Sequence, residues 1–233
     1  DFIRAVRTRN LYSATSVDQL PHMVASHAMF GHQFLLPVPD VDRTQLFVCI
    51  GGNPGASGGS IMGAPGFEKR IEALQARGGR FIVVDPRRTE SAAIADEHLP
   101  IRPAADVFLL LALLHEVFSS GRASLGHLAP HVEGLDALQQ AVLQFDPAQL
   151  AERTGLPRER LVQLAQELCD EPRALVYGRV GACTQEFGGL SLWLIYCLNA
   201  VTGHLDSEGG MMFAEPAVDL TRAYGSKGHH GKF

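Results

Sequence analysis

Three stretches of the chain hold residues able to grip a ligand, and each follows a short apolar run. Gly51-Gly52-Asn53-Pro54 leads into Gly55, Ser57, Gly58, Gly59 and Ser60, small residues that let backbone N–H groups approach an anionic or nucleotide ligand. This is not a Walker loop, since no Gly-Lys-Ser/Thr follows. Nor is it the usual dinucleotide fingerprint, since no Gly-x-Gly-x-x-Gly opens a helix directly after the run. The same composition also suits a plain surface turn. Asp85-Pro86-Arg87-Arg88-Thr89 is more specific. An acid at the end of a second strand can meet a ribose or base, and adjacent arginines pair with phosphate or lie over a purine. Positive charge at a helix start opposes the helix dipole, so a bound anion accounts for Arg87 and Arg88 better than solvent does.

Two further positions join them. Asp106 begins a helix, where it can serve as a cap, and its carboxylate could also accept two hydrogen bonds from a guanine edge. The segment from Tyr177 to Gln185 offers Arg179, Thr184 and Gln185 around Gly178 and Gly181, a pattern equally compatible with a connecting loop. Other chemistries find less support. The ten histidines form no His-x-x-x-His pair with an acidic helper, so histidine ligation of a metal is not expected. Ser57 and Ser191 lack the strand-turn-helix elbow of a serine hydrolase. Cys49, Cys169, Cys183 and Cys197 are widely separated among apolar neighbours, which reads as free buried thiols in a reducing compartment and hence a cytoplasmic location.

The elements that must carry these groups follow from periodicity. Leu46–Ile50, Arg80–Val84 and Ala174–Tyr177 are apolar runs suited to strands buried on both faces. Phe67, Ile71 and Leu74 mark a helix over 67–76 that stops at Gly78-Gly79, making a β-α-β crossover and so a parallel pair. Helices are expected over 90–96, 106–119 and 187–201, an extended piece over 98–103, and helical pattern from 135 to 168 with breaks at Asp146-Pro147 and Leu156-Pro157. The strand ends then share the carboxyl edge of an open sheet, where ligands bind. The chain is expected to divide into 1–45, leading from or belonging to a first α/β domain; 46–175, an α/β domain with a helical excursion near 125–170; and 176–233, returning toward the first, with a disordered tail from about 225.

At 233 residues, 46% hydrophobic and 19% charged, the chain can bury a sizeable core. A net charge of -5 gives no attraction to nucleic acid or acidic membranes, and the longest apolar run, Val107 to Leu114, is too short to insert into a bilayer. Asp1 at the start and the Gly/His/Lys-rich end from Gly225 suggest a piece of a longer polypeptide.

In order and spacing these motifs resemble the catalytic subunits of the DMSO reductase superfamily of molybdopterin oxidoreductases, which includes formate dehydrogenases and nitrate reductases. The matching stretches are Gly51 to Pro54; Asp85 to Glu90 with Ala95-Asp96; Arg102-Pro103-Ala104-Ala105-Asp106; and Leu198 to Asp206 leading to Gly209-Gly210. The resemblance implies α/β architecture, with parallel Rossmann-like sheets flanked by helices, and a molybdopterin guanine dinucleotide cofactor carrying molybdenum. By that likeness Gly51, Gly52, Asn53, Pro54 and Ser57 touch phosphate or ribose. Asp85, Pro86, Arg87 and Thr89 line a nucleotide end and Asp106 reads guanine. Gly178, Arg179, Gly181, Thr184 and Gln185 face the cofactor and the substrate funnel, with Arg179 a catalytic candidate.

The pattern departs from the family in two ways. Many relatives read guanine with Pro-Gly-Thr-Asp, where this chain has Pro103-Ala104-Ala105-Asp106. The family's protein ligand to molybdenum belongs near Ser13 to Leu20, where there is no cysteine. Asp18 is the first choice, as a hard carboxylate donor, with Ser13 and Ser16 behind it and helix capping as its alternative. The resemblance further implies a 4Fe-4S cluster elsewhere in the parent, a small-molecule substrate, an electron-transfer partner, and little activity in the isolated piece. Two other readings stay open: a respiratory-complex-type subunit keeping the fold without molybdenum, and an NAD(P)-dependent dehydrogenase using Asp85 on a ribose.

Overall fold

In the computed structural model, which describes residues 5–10, 12–217, 219 and 221, the apolar runs become parallel strands. The expected tail from about 225 lies outside the described residues. The chain opens with α1 (Thr15–Asp18) and α2 (Leu20–Phe30), the latter closed by Gly31 in a left-handed conformation. The central sheet then forms from β2 (Leu46–Ile50), β3 (Arg80–Val84), β4 (Glu97–Leu99) and β5 (Ala174–Gly178), ordered β4-β3-β2-β5 and parallel throughout. A separate antiparallel ribbon joins β1 (Pro37–Pro39) to β6 (Met211–Phe213).

Strand side chains alternate between two cores. Val48, Ile50, Ile82, Val84 and Val176 face α6 (Asp106–Ser119), α9 (Arg158–Asp170) and α11 (Gly188–Val201). Phe47, Cys49, Phe81, Val83, Leu175 and Tyr177 face α4 (Phe67–Ala76), whose Phe67, Ile71 and Leu74 recur at helical spacing. The result is a three-layer α/β sandwich. The helical region expected from 135 to 168 is α7 (Leu135–Val142), α8 (Pro147–Thr154) and then α9. Asp146 caps α8 by accepting from the Ala148 N–H, with Pro147 in the first turn.

Three boundaries differ from expectation. The helix expected over 90–96 is α5 (Glu90–Ile94), because Ala95 turns extended and Asp96 instead accepts from the Phe81 N–H at 2.7 Å. The extended piece after it supplies a fourth parallel strand, β4. The division expected at 175/176 cuts β5, which pairs along β2, so the return segment begins inside the sheet. Residues 1–45 likewise contribute α2, which packs on α11.

Arg160 pins β4 from across the fold, its Nε and Nη2 donating to the Glu97 carboxylate at 2.6 and 2.7 Å. That bonding, and then the charges of Arg160 and Arg80, hold Glu97 below the ordinary glutamate value of 4.5 against partial burial. A carboxyl depressed in the fold stabilises above its unfolded value, and the gain disappears as pH falls through the folded one. Glu97→Gln is therefore expected to cost about 1.5–3 kcal/mol at pH 7, with the gap from the parent chain closing as urea titrations move below pH 4.5.

Among the described residues no helix is long and apolar enough to cross a membrane.

Candidate functional site

All four parallel strands deliver their following loops to the carboxyl edge. Because β3 and β4 lie on one side of β2 and β5 on the other, connections diverge between β2 and β5, and such a switch point opens a crevice. The Gly51 and Gly181 loops flank it, and they touch. The Gly181 N–H donates to the Gly51 carbonyl at 2.8 Å. A Cβ on Gly51 would run into Ala182 N, and one on Gly181 would stand 2.9 Å from Gly51 Cα. Smallness here serves the meeting of two loops, with Gly51 also at φ +57. Gly52 sits against Cys49 Sγ and Gly178 against Ile195.

Asn53 is spent within the protein. Its Oδ1 accepts from the Ser91 N–H at 3.1 Å and the Ser91 hydroxyl at 2.8 Å, while its Nδ2 donates to Glu90 at 2.7 Å. The Gly55 N–H adds a bond to Ser91 Oγ at 2.9 Å. These contacts clamp the loop and short helix α3 (Pro54–Ser57) to the start of α5. Ser57 donates to the Asn53 carbonyl, and buried Thr89 caps α5 by accepting from Ala92 N–H. Sequence reasoning assigned both residues to the cofactor and missed Glu90 and Ser91, which complete the clamp; the polar start of α5 was the available signal.

Asp85 is half-buried at the end of β3. The Arg87 N–H donates to its Oδ1 at 2.8 Å, and exposed Pro86, Arg87 and Arg88 project beside it. Glu90 lies 3.7 Å from the Arg87 guanidinium. Asp106 is nearby and buried, the first residue of α6, with Ala105 in the capping position, so it does not cap the helix as sequence had allowed. Gln185 donates to its Oδ2 at 2.7 Å, and Gln185 Oε1 is left buried without a partner. Burial raises the Asp106 carboxyl, the Gln185 bond opposes the shift, and the Asp85 charge adds to it.

A raised carboxyl contributes stability below its unfolded value and forfeits it as pH climbs. Asp106→Asn keeps the acceptor for Gln185 while removing the charge. It is expected to stabilise the chain at pH 7 by about 0.5–2 kcal/mol, the usual gain when a strained site residue is relaxed. Near pH 3.5 the difference should vanish, as a melting series in pH will show. Ala104 takes φ +61, a left-handed value costly for a residue with a Cβ. Ala104→Gly should raise the melting midpoint by the equivalent of about 1 kcal/mol.

Arg179, between the end of β5 and the short helix α10 (Val180–Cys183), is only 4% exposed. Its Nη2 donates to Asp18 at 2.6 Å and to Ser60 Oγ at 2.7 Å, while Nη1 is buried with no partner. Asp18 ends α1 and is tied to Arg179; Gln19, not Asp18, holds the capping position of α2. Ser13 bonds Thr15, and Ser16 is exposed. Thr184 is exposed and back-bonded to the Val180 carbonyl. Beneath Arg179, His22 bonds Tyr196 at 3.1 Å, and burial, then the Arg179 charge, lower it to about 3. Burial pushes the Cys49 and Cys183 thiols up to about 12, so neither is a thiolate at neutral pH. Sequence reasoning missed His22 and Tyr196, for which no local pattern exists, and took Ser60 for its small size and not for its bond to Arg179. Among the described residues no group of three or more His, Cys, Asp or Glu side chains is arranged to hold a metal ion.

A doubly wound parallel sheet with acid, amide and guanidinium groups gathered at its switch point defines an open α/β domain, a class whose ligands bind at that edge. The chain belongs to the molybdopterin oxidoreductase family, whose family model matches residues 1–221. It is 24% identical over 210 residues to the F420-dependent formate dehydrogenase 2 subunit alpha of Methanococcus maripaludis, covering 89% of this chain and 30% of that one. It is 26% identical over 177 residues to a nitrate reductase of Shewanella frigidimarina, covering 75% and 18%. The solved structure of acetylene hydratase from Pelobacter acetylenicus shares the fold, with a TM-score of 0.75 at 20% identity over 92% of this chain and 28% of that one. The chain thus spans less than a third of the length of these relatives.

Proposed function

We propose that this chain is the cofactor-gripping portion of a larger molybdenum oxidoreductase that carries out a two-electron oxidation or reduction of a small substrate, using molybdopterin guanine dinucleotide. The observation that carries the reading is the pair of buried, unpartnered polar atoms at the carboxyl edge, Arg179 Nη1 and Gln185 Oε1, beside Asp85 and Asp106. A donor and an acceptor left dry cost stability unless a ligand completes them.

In this assignment Asp106 and Gln185 Oε1 accept from the N–H edge of guanine. Asp85 accepts from a ribose hydroxyl, and Arg87 and Arg88 face phosphate. Arg179 Nη1 donates to an anionic group at the mouth of the crevice. Asp18, whose other oxygen is bound by Arg179, offers Oδ2 as the carboxylate donor to molybdenum. Asn53, Thr89, Gly51 and Gly181 act one step back, fixing the loops that present these groups. When bound, molybdenum supplies the capacity to gain and lose two electrons. A 4Fe-4S cluster and an electron-accepting partner would belong to the rest of the polypeptide and its complex. The free thiols fit a cytoplasmic setting.

The engagement of Asn53 and Thr89 by the protein's own loops favours a second reading, a subunit that keeps the fold without the metal. The dehydrogenase alternative is weakest, since α3 after β2 spans only four residues. The full-length polypeptide, made in a host that builds the cofactor, decides. Near-stoichiometric molybdenum and the fluorescence of oxidised pterin are expected, both reduced at least tenfold by Asp106→Ala. Protein carrying neither would exclude the catalytic reading and leave the structural subunit. Saturable binding of NAD or NADP would revive the dehydrogenase.

A further inference from the structure

A cavity of about 590 Å³ lies away from the carboxyl edge. It is bounded by the last turn of α2, a 3-10 turn (Gly126–His131), the start of α7, the carboxyl end of α11 and β6. Helix α11 leads from the rim loops to this cavity, which its Trp193, Cys197, Ala200 and Val201 line. The size falls within the roughly 300–1,000 Å³ typical of small-molecule sites.

Its chemistry is specific. Phe30, Trp193 and Phe213 supply aromatic walls, with the Phe30 and Phe213 rings edge-to-face at 5.1 Å and 88°. Glu133 and Asp206 line the exposed side together with His131, and no lysine or arginine lines any part of it. Neither carboxylate has an ion-pair or hydrogen-bond partner among the described residues. Asp206 is moreover held at φ +53, a left-handed conformation that a residue with a Cβ adopts at a cost, and the bond from its N–H to the Met211 carbonyl at 2.7 Å keeps it there. Ring faces are electron-rich and attract a cation, more so where water is excluded. Two free carboxylates at the same opening add to that field and repel anions.

We infer that this cavity is a binding site for a small organic ammonium ion with an apolar body, held by the Phe30–Trp193–Phe213 walls and by the carboxylates of Glu133 and Asp206. The site is independent of the cofactor edge and stands whether or not that reading holds.

Trp193 is the only tryptophan of the chain, so its fluorescence reports on this cavity alone. The 233-residue chain is titrated with benzyltrimethylammonium, neutral benzyl alcohol and anionic benzoate, and the same binding is measured by calorimetry. The ammonium should produce a saturable change at least ten times tighter than benzyl alcohol, and benzoate none. Glu133→Gln combined with Asp206→Asn should weaken the ammonium about tenfold and leave benzyl alcohol unchanged. Ala28→Leu, which adds bulk at an exposed position on the cavity wall without a second tryptophan, should abolish both. Equal binding of the three probes, no saturable response to the ammonium, or ammonium binding indifferent to these variants would overturn the inference.

Discussion

Asn199→Leu is expected to lower stability by about 3–5 kcal/mol, near the upper end for a single substitution. Asn199 is fully buried on α11 beside β5, the edge strand of the sheet. Its Oδ1 accepts from the Val176 N–H at 2.9 Å, and its Nδ2 donates to the Val176 carbonyl at 2.8 Å and the Ile195 carbonyl at 2.8 Å. One side-chain amide thereby does for the outer edge of β5 what a fifth strand would do. Leucine has nearly the same shape and leaves both backbone groups of Val176 dry, each costing about 1–3 kcal/mol. The urea midpoint should fall steeply, and the Val176 amide should lose its protection from hydrogen exchange ahead of Val48 and Ile82. If those three amides kept equal protection, the role given to Asn199 would be wrong. Asn199→Asp should be no rescue, because a carboxylate cannot donate to the Val176 carbonyl and brings a buried charge.

Asp18→Asn carries the second large effect. It leaves the charge of the buried Arg179 guanidinium unbalanced, facing a neutral amide whose Oδ1 can still accept from it, with Ser60 its other bond. Removing one member of a buried pair costs about 3–5 kcal/mol. Here the Asp18 side chain is 32% exposed, and solvent screening brings the expectation down to about 2–3 kcal/mol. The double variant Asp18→Asn/Arg179→Met should recover part of that loss, because the stranded charge is gone. A double variant no more stable than Asp18→Asn would show that the two residues do not act as a pair. In the full-length polypeptide the same substitution separates two roles. If Asp18 only holds Arg179, molybdenum content should follow stability and be restored by lowering the temperature. If its Oδ2 binds the metal, molybdenum is lost even where the fold is intact.

Strand and helix content was legible wherever a local pattern carried it. Leu46–Ile50 and Arg80–Val84 are continuous apolar runs, and the helix of Phe67, Ile71 and Leu74 has both its period and a glycine stop. β4 was legible only as an extended piece over 98–103, because three residues, Glu97, His98 and Leu99, carry too little pattern to separate a strand from a loop. At the candidate site the residue types were legible and several of their tasks were not. Asn53, Thr89 and Gly51 read as ligand contacts because a small or polar residue after a strand has the same composition whether it meets a ligand or a neighbouring loop. Their use as loop clamps appears only with Ser91, Glu90 and Gly181 in place.

Periodicity, breakers and the placement of acids after strands belong to neighbouring residues and survive in a linear reading; the α/β class and the gathering of Asp85, Asp106 and Gln185 at one edge follow from them. The pairing of Asp18 with Arg179, 161 positions apart, the seam that Asn199 closes on β5, and the meeting of Gly51 with Gly181 follow from chain crossings that no local spacing encodes. Such contacts form only after the sheet has chosen its strand order, and that choice rests on summed burial across both faces rather than on any one residue.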